Sequence, residues 1–99
     1  MNREEFTSFY AASPAHGTAA YVVNSARGTV IPIRTANSTP GKPVKVGLQP
    51  MAIAITPDGK TAYVGNNTAG TVTPINIATN TALPPIKTGG NPFVIAITP

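Results

Sequence analysis

Cysteine and tryptophan are absent from this 99-residue chain, and histidine occurs once, at His16. Without a thiol the chain forms no disulfide and no thiolate metal centre. Acidic residues number only three, Glu4, Glu5 and Asp58, and charged residues of both signs make up 10% of the chain. So little charge argues against long solvated helices and leaves few carboxylates for acid–base chemistry. No apolar run approaches the roughly 18 residues that a spanning helix needs, so no membrane insertion is expected. The start, MNREEFTSFY, places Glu4 and Glu5 where a secretory leader places cations and then an apolar stretch, so it does not read as a signal peptide.

Seven Lys and Arg against three acids give a net charge of +4. The basic residues, Arg3, Arg27, Arg34, Lys42, Lys45, Lys60 and Lys87, are spread evenly rather than gathered into a stripe. Only three Tyr and three Phe accompany them, so no nucleic-acid partner is expected.

What is abundant is turn chemistry: 9 Gly, 11 Pro and many Thr, Asn and Ala. That composition reads as all-β. Two strand-like runs each carry an internal proline, TVIPIRTA at 29–36 and TVTPINIA at 71–78. Proline cannot donate to a ladder and is normally excluded from central strands. Pro74 follows Pro32 by 42 residues, and the same shift aligns much more. Ala20, Tyr21, Val22 and Asn24 overlie Ala62, Tyr63, Val64 and Asn66; Gly28-Thr29-Val30 overlies Gly70-Thr71-Val72; Lys45 and Gly47 overlie Lys87 and Gly89. Ile53-Ala54-Ile55-Thr56-Pro57 recurs letter for letter at 95–99. A strand-rich repeat of 40 to 45 residues is the signature of a β-propeller blade.

Each period divides into four strands. Residues 51–56 alternate large Met51, Ile53 and Ile55 with small Ala52 and Ala54, as in a strand covered on both faces. Pro57-Asp58-Gly59-Lys60 predicts a hairpin of three residues with a bulge. Residues 61–66 and 71–77 make the second and third strands, and 83–88, with Pro84 and Pro85, a poor fourth. A proline in the third strand costs least if it faces that weak fourth strand or a bulge there.

The segments TAYVGN, GTVTPI and PMAIAITPDG resemble the YVTN family of β-propeller repeats, with Tyr21-Val22-Val23-Asn24 and Tyr63-Val64-Gly65-Asn66 as the two Tyr-Val-x-Asn strands. The resemblance covers 13–99. It implies four-stranded antiparallel blades, about seven in a complete ring, and a binding scaffold at the cell surface or in another extracytoplasmic compartment. The expected organisation is a non-repeat segment at 1–8, a first blade at 9–49 with a degenerate inner strand, a second blade at 50–91, and the inner strand of a truncated third at 92–99. The chain thus reads as an incomplete propeller of about two blades plus one strand. The first hairpin, Ser13-Pro14-Ala15-His16-Gly17-Thr18-Ala19, holds one residue more than the second.

No constellation for catalysis is legible. His16 has no second histidine beside it, and Asp58 next to Gly59 reads as turn chemistry. None of the four serines lies in a nucleophile elbow, and Gly89-Gly90 is no phosphate loop. No enzyme activity, cofactor or metal is therefore expected. The patterns Asn37-Ser38-Thr39 and Asn66-Asn67-Thr68 fit a glycosylation acceptor and imply exposed loops. Arg27, Asn66 and Asn67 fall where second and third strands join, and strand-end loops of propellers commonly bind, so these three are the candidate contact residues for a protein or small ligand. Two rival expectations stand beside the scaffold. Related propellers include lactonases, whose catalytic residues would lie outside this segment; or the piece has no function of its own. Open faces at both ends also predict self-association into a ring.

Overall fold

In a computed structural model of the chain, residues 8–12, 19–92 and 94–98 are described, 8–12 by their backbone alone. The first sheet contains β1 (Ser8–Ala12), β2 (Ala19–Asn24), β3 (Thr29–Arg34), β4 (Thr39–Pro40) and β5 (Val44–Lys45). The second contains β6 (Pro50–Ile55), β7 (Thr61–Asn66), β8 (Thr71–Asn76), β9 (Thr81–Ala82) and β10 (Ile86–Lys87). Both are antiparallel and share one plan: three strands of five or six residues in sequence order, then a fourth line split into two short pieces that both pair with the third strand.

The sequence period is a structural period. Ser8 pairs with Asn24 and Ala12 with Tyr21, and 42 residues on Pro50 pairs with Asn66 and Ala54 with Tyr63. Even the bulge recurs, between Ser8 and Ala11 and between Pro50 and Ala52. The inner strand of the first sheet thus forms despite its loose sequence fit, because its partner β2 is intact. It starts at Ser8, one residue inside the segment expected to lie outside the repeat.

One core lies between the sheets. Directly opposed residues share a face, so Tyr21–Pro32 and Val23–Val30 lie on one face of the first sheet, and Ala62–Ile75 and Val64–Thr73 on one face of the second. These faces meet: Tyr21, Val23, Val30, Val44, Ala62, Val64 and Ile75 form a single buried cluster. Each buried aliphatic contributes about 1.5–3 kcal/mol.

The prolines lie where the fourth line breaks. Pro32 sits between the β4 and β5 pairings and Pro74 between those of β9 and β10. The Gly41 N–H donates to the Pro32 carbonyl at 2.6 Å and the Leu83 N–H to the Pro74 carbonyl at 2.8 Å. In an antiparallel strand a residue's N–H and C=O point the same way, so the missing proline N–H also faces the broken fourth strand. The ladder to β2 or β7 loses nothing. A one-residue slip in the fourth line, from Ile33↔Pro40 to Val30↔Val44 and from Ile75↔Ala82 to Val72↔Ile86, puts a bulge beside each proline. The continuous fourth strand expected over 83–88 is accordingly two fragments, since Pro84 and Pro85 cannot donate.

Two further expectations are amended. The hairpin at Pro57 holds four residues, because the Thr56 N–H bonds the Thr61 carbonyl (2.9 Å) while the Asp58 carboxylate takes the Lys60 N–H (3.0 Å) out of the ladder. Gly59 accepts the left-handed position there, φ 72°. Residues 94–98, read as an inner strand, make no ladder: β6 is a strand through its pairing with β7, and the positions 42 beyond β7 exceed residue 99. They still lie where that reading puts them, since Ile95 and Pro92 approach Gly65 as van der Waals neighbours. The longer first hairpin, with His16, and the segment 1–7 lie outside the described residues.

Candidate functional site

The turns joining second to third strands lie at one end of both sheets, beside the connector 46–49 that carries the chain from the first to the second. Each turn closes on a glycine in the left-handed region, Gly28 (φ 66°) and Gly70 (φ 68°), whose N–H bonds the carbonyl of Asn24 or Asn66. Gly28 accepts from Val46 N–H at 2.9 Å and Gly70 from Thr88 N–H at 3.1 Å, again 42 residues apart. The turns hold the passages to the next sheet in place.

The three candidate residues take different positions in this arrangement. Arg27 is exposed on the first turn, and its N–H bonds the Asn24 side-chain oxygen at 3.2 Å. Asn66 is fully buried, at 0% exposure, which removes it from any surface that meets a ligand. Its amide oxygen accepts the Gly47 N–H across the seam at 3.1 Å, and its amide nitrogen donates to the Thr71 (3.1 Å) and Thr73 (2.8 Å) hydroxyls. Half-buried Asn67 donates its backbone N–H to the Gln49 carbonyl (2.9 Å) and its side-chain amide to the Pro92 carbonyl (3.2 Å). The Thr68 hydroxyl bonds the Gln49 side chain. The loop exposure expected from Asn66-Asn67-Thr68 therefore fails at Asn66, whereas Asn37, whose oxygen accepts from the Thr39 hydroxyl at 2.6 Å, is exposed.

Gly47 has no side chain because the seam has no room for one. A Cβ there would stand 2.8 Å from the Asn66 Cγ and 2.9 Å from its Cβ. A second polar tie crosses further out: the Tyr21 hydroxyl donates to the Asn80 side-chain oxygen at 2.7 Å. Burial pushes the Tyr21 hydroxyl above its ordinary pKa of 10.0. Neither tie was named from sequence, yet both have a periodic signal, since Tyr21, Asn24 and Gly47 all recur unchanged at the 42-residue shift.

Beside the ties the seam opens into two clefts. One, of about 420 Å³, is walled by Val46, Leu48, Ala82, Leu83 and Pro85. Leu48 is 66% exposed on its lip. The other, of about 580 Å³, runs between Lys42–Lys45 and Thr79–Ala82. Asp58 lies away from both, in its hairpin, where bonds from the Thr56 hydroxyl and the Lys60 N–H hold its carboxyl below the ordinary range. Among the described residues no three of His, Cys, Asp and Glu gather as metal ligands.

Repeated four-line antiparallel sheets, packed face to face about one apolar core and fastened by polar ties, are blades of a β-propeller-like fold. Solved structures agree with that class. The chain superposes on hydrazine synthase from Kuenenia stuttgartiensis with a TM-score of 0.89 at 28% identity, covering 93% of this chain and 26% of that one. It superposes on a functionally unknown protein from Desulfotomaculum acetoxidans with a TM-score of 0.84 at 20% identity, covering 99% and 33%. The WD40 repeats of RRP9 give 0.78 at 10% identity, covering 88% and 28%. The chain thus spans a quarter to a third of the structures it matches. No family model and no curated protein matches it.

Proposed function

We propose that the chain is a non-enzymatic segment of a YVTN-type propeller that serves as a binding scaffold, in a protein of the cell surface or another extracytoplasmic compartment. The observation that carries this reading is how the polar side chains are used. Asn66, Asn67, Tyr21 and Asp58 each hold one piece of backbone or one blade against another. Groups committed in this way fix a frame and leave recognition to what the frame presents. What it presents at the connector end is exposed Arg27 and the apolar cleft with Leu48 and Leu83 on its lip. The cleft's lining also contains Lys45, and an apolar wall with that cation suits a peptide carrying an aliphatic side chain and a carboxylate.

A random peptide library displayed on phage, selected on the immobilised chain, tests this. Enrichment of peptides whose binding is lost in both Leu48→Asp and Lys45→Glu supports the scaffold. Turnover of δ-valerolactone, saturable and proportional to chain concentration, defeats it in favour of a lactonase-like hydrolase. A second reading, a structural portion of a larger enzyme, is favoured by the 28% identity to the hydrazine synthase chain. It places any reaction outside these residues.

A further inference from the structure

The fold treats the chain's two Asn-x-Thr patterns in opposite ways. Asn66 has 0% exposure, and its amide nitrogen donates to the Thr71 and Thr73 hydroxyls, so neither an enzyme nor a sugar reaches it. Asn37 stands in the turn between β3 and β4, within a run, 34–43, in which every residue is exposed. There the Thr39 hydroxyl donates to the Asn37 side-chain oxygen at 2.6 Å, and the Thr39 N–H donates to the same oxygen at 3.3 Å. Both bonds engage the amide oxygen and leave the nitrogen for an incoming group. The turn 42 residues on has the same backbone, with φ 52° at Asn80 against 55° at Ser38, but no acceptor: Asn80 holds the Tyr21 hydroxyl and is followed by Thr81-Ala82. Exposed Asn76 and Asn91 lack the pattern too, the first leading to Ile77-Ala78 and the second preceding Pro92.

We propose that Asn37 is an acceptor for N-linked glycosylation, the donor being an oligosaccharide carried on a polyisoprenyl diphosphate. In the transfer, Asn37 Nδ2 forms a bond to the anomeric carbon of the sugar and that carbon's bond to the diphosphate oxygen breaks. The lipid diphosphate leaves with the electron pair, and the amide gives up one proton to the transferase's base. The inference rests on the extracytoplasmic placement proposed above, where such donors are used. The position suits a bulky, solvated group. β3 carries the chain six residues, about 20 Å, from the connector end to the Asn37 turn, so a glycan there leaves Lys45 and Leu48 uncovered. It stands instead beside β4, which pairs only with β3, and shields that outer edge from other strands.

Incubating the folded full chain with a purified single-subunit oligosaccharyltransferase and its lipid-linked oligosaccharide tests the inference, with intact mass and peptide mapping as the readout. The wild type should gain the mass of a single glycan, on Asn37 and not on Asn66. The gain should vanish in Asn37→Gln and in Thr39→Val and persist in Thr39→Ser, which keeps the hydroxyl. All three substitutions lie in the exposed turn, so their far-ultraviolet spectra should match the wild type, as should the melting temperature of the glycosylated chain. No transfer to the wild type, transfer to Asn66 of the folded chain, or transfer that survives Asn37→Gln or Thr39→Val would each overturn it. The assay supplies enzyme and donor, so it reads the acceptor alone; finding the protein in the cytoplasm on cell fractionation would overturn the placement and leave the acceptor standing.

Discussion

Replacing Asn66 by alanine removes three hydrogen bonds, one across the seam to Gly47 and two to Thr71 and Thr73 of its own blade. The Gly47 N–H and the Thr71 and Thr73 hydroxyls lose their partner in a position with 0% exposure, where water cannot replace the amide. A typical hydrogen bond is worth about 1 kcal/mol net, and a buried group left unpaired costs about 1–3 kcal/mol. Three such losses give about 3–4 kcal/mol, a large share of the roughly 5–15 kcal/mol that holds a domain together. For a chain of this size that lowers Tm by on the order of 12–32 °C. Thr73→Val removes only the shorter of the two hydroxyl contacts at nearly constant shape and should cost about 1 kcal/mol. Because both changes delete the same bond, the Thr73→Val penalty should shrink by most of that amount in the Asn66→Ala background, a coupling that a double-mutant cycle reads from urea titrations. An Asn66→Ala loss below about 1 kcal/mol would refute the claim that this amide fastens the blades, and strict additivity with Thr73→Val would refute its bond to Thr73 within the second blade.

Tyr21→Phe should cost about 1 kcal/mol by deleting the bond to Asn80. Wild-type stability should be full below pH 10, the ordinary tyrosine value, and fall as pH rises through the higher folded value, a slope that Tyr21→Phe should lose in alkaline urea titrations. Gly47→Ala should destabilise by about 1–3 kcal/mol through overpacking; Asn66→Ala should not rescue it, because the Asn66 Cβ stands 2.9 Å from the added methyl. Gly90→Ala, which meets nothing within 4 Å, should be neutral or slightly stabilising in the same melts. Asp58 has a lowered pKa, so its contribution is present above the ordinary carboxylate range and disappears as pH falls through the folded value; Asp58→Ala should flatten that acid limb without changing the fold seen by circular dichroism.

Much of this architecture is legible in the residues because the repeat is nearly gapless. Once Tyr21 overlies Tyr63 and Asn24 overlies Asn66, one hairpin signal at Pro57-Asp58-Gly59 locates strands in both copies, and β7 falls on the expected residues. Periodicity cannot say which of two apolar faces is the inner one, since that depends on a neighbour elsewhere in the chain. Asn66 shows the consequence. A polar residue at a strand end reads as a loop contact, and its burial appears only when Gly47 of the preceding blade is brought against it. The described residues of the strand expected at 92–99 make no ladder for a related reason: pattern reports what a segment is suited for, but a ladder needs a partner.

The two prolines connect these levels. A blade must pair its third strand with the second along its full length, because that sheet carries the face buried in the seam: Tyr21 opposite Pro32, and Ala62 opposite Ile75. It need not pair the third strand fully with the fourth, which lies at the rim. A proline satisfies both requirements only at a position whose N–H faces outward, and those are alternate positions along the strand. Pro32 and Pro74 occupy one of them and are themselves buried, each filling the face behind its tyrosine. The bulge opposite each proline twists the short outer pieces away from a straight edge. A rim built in this way is a poor template for another strand, so each blade is blunted at its edge by the same residue that fills its face.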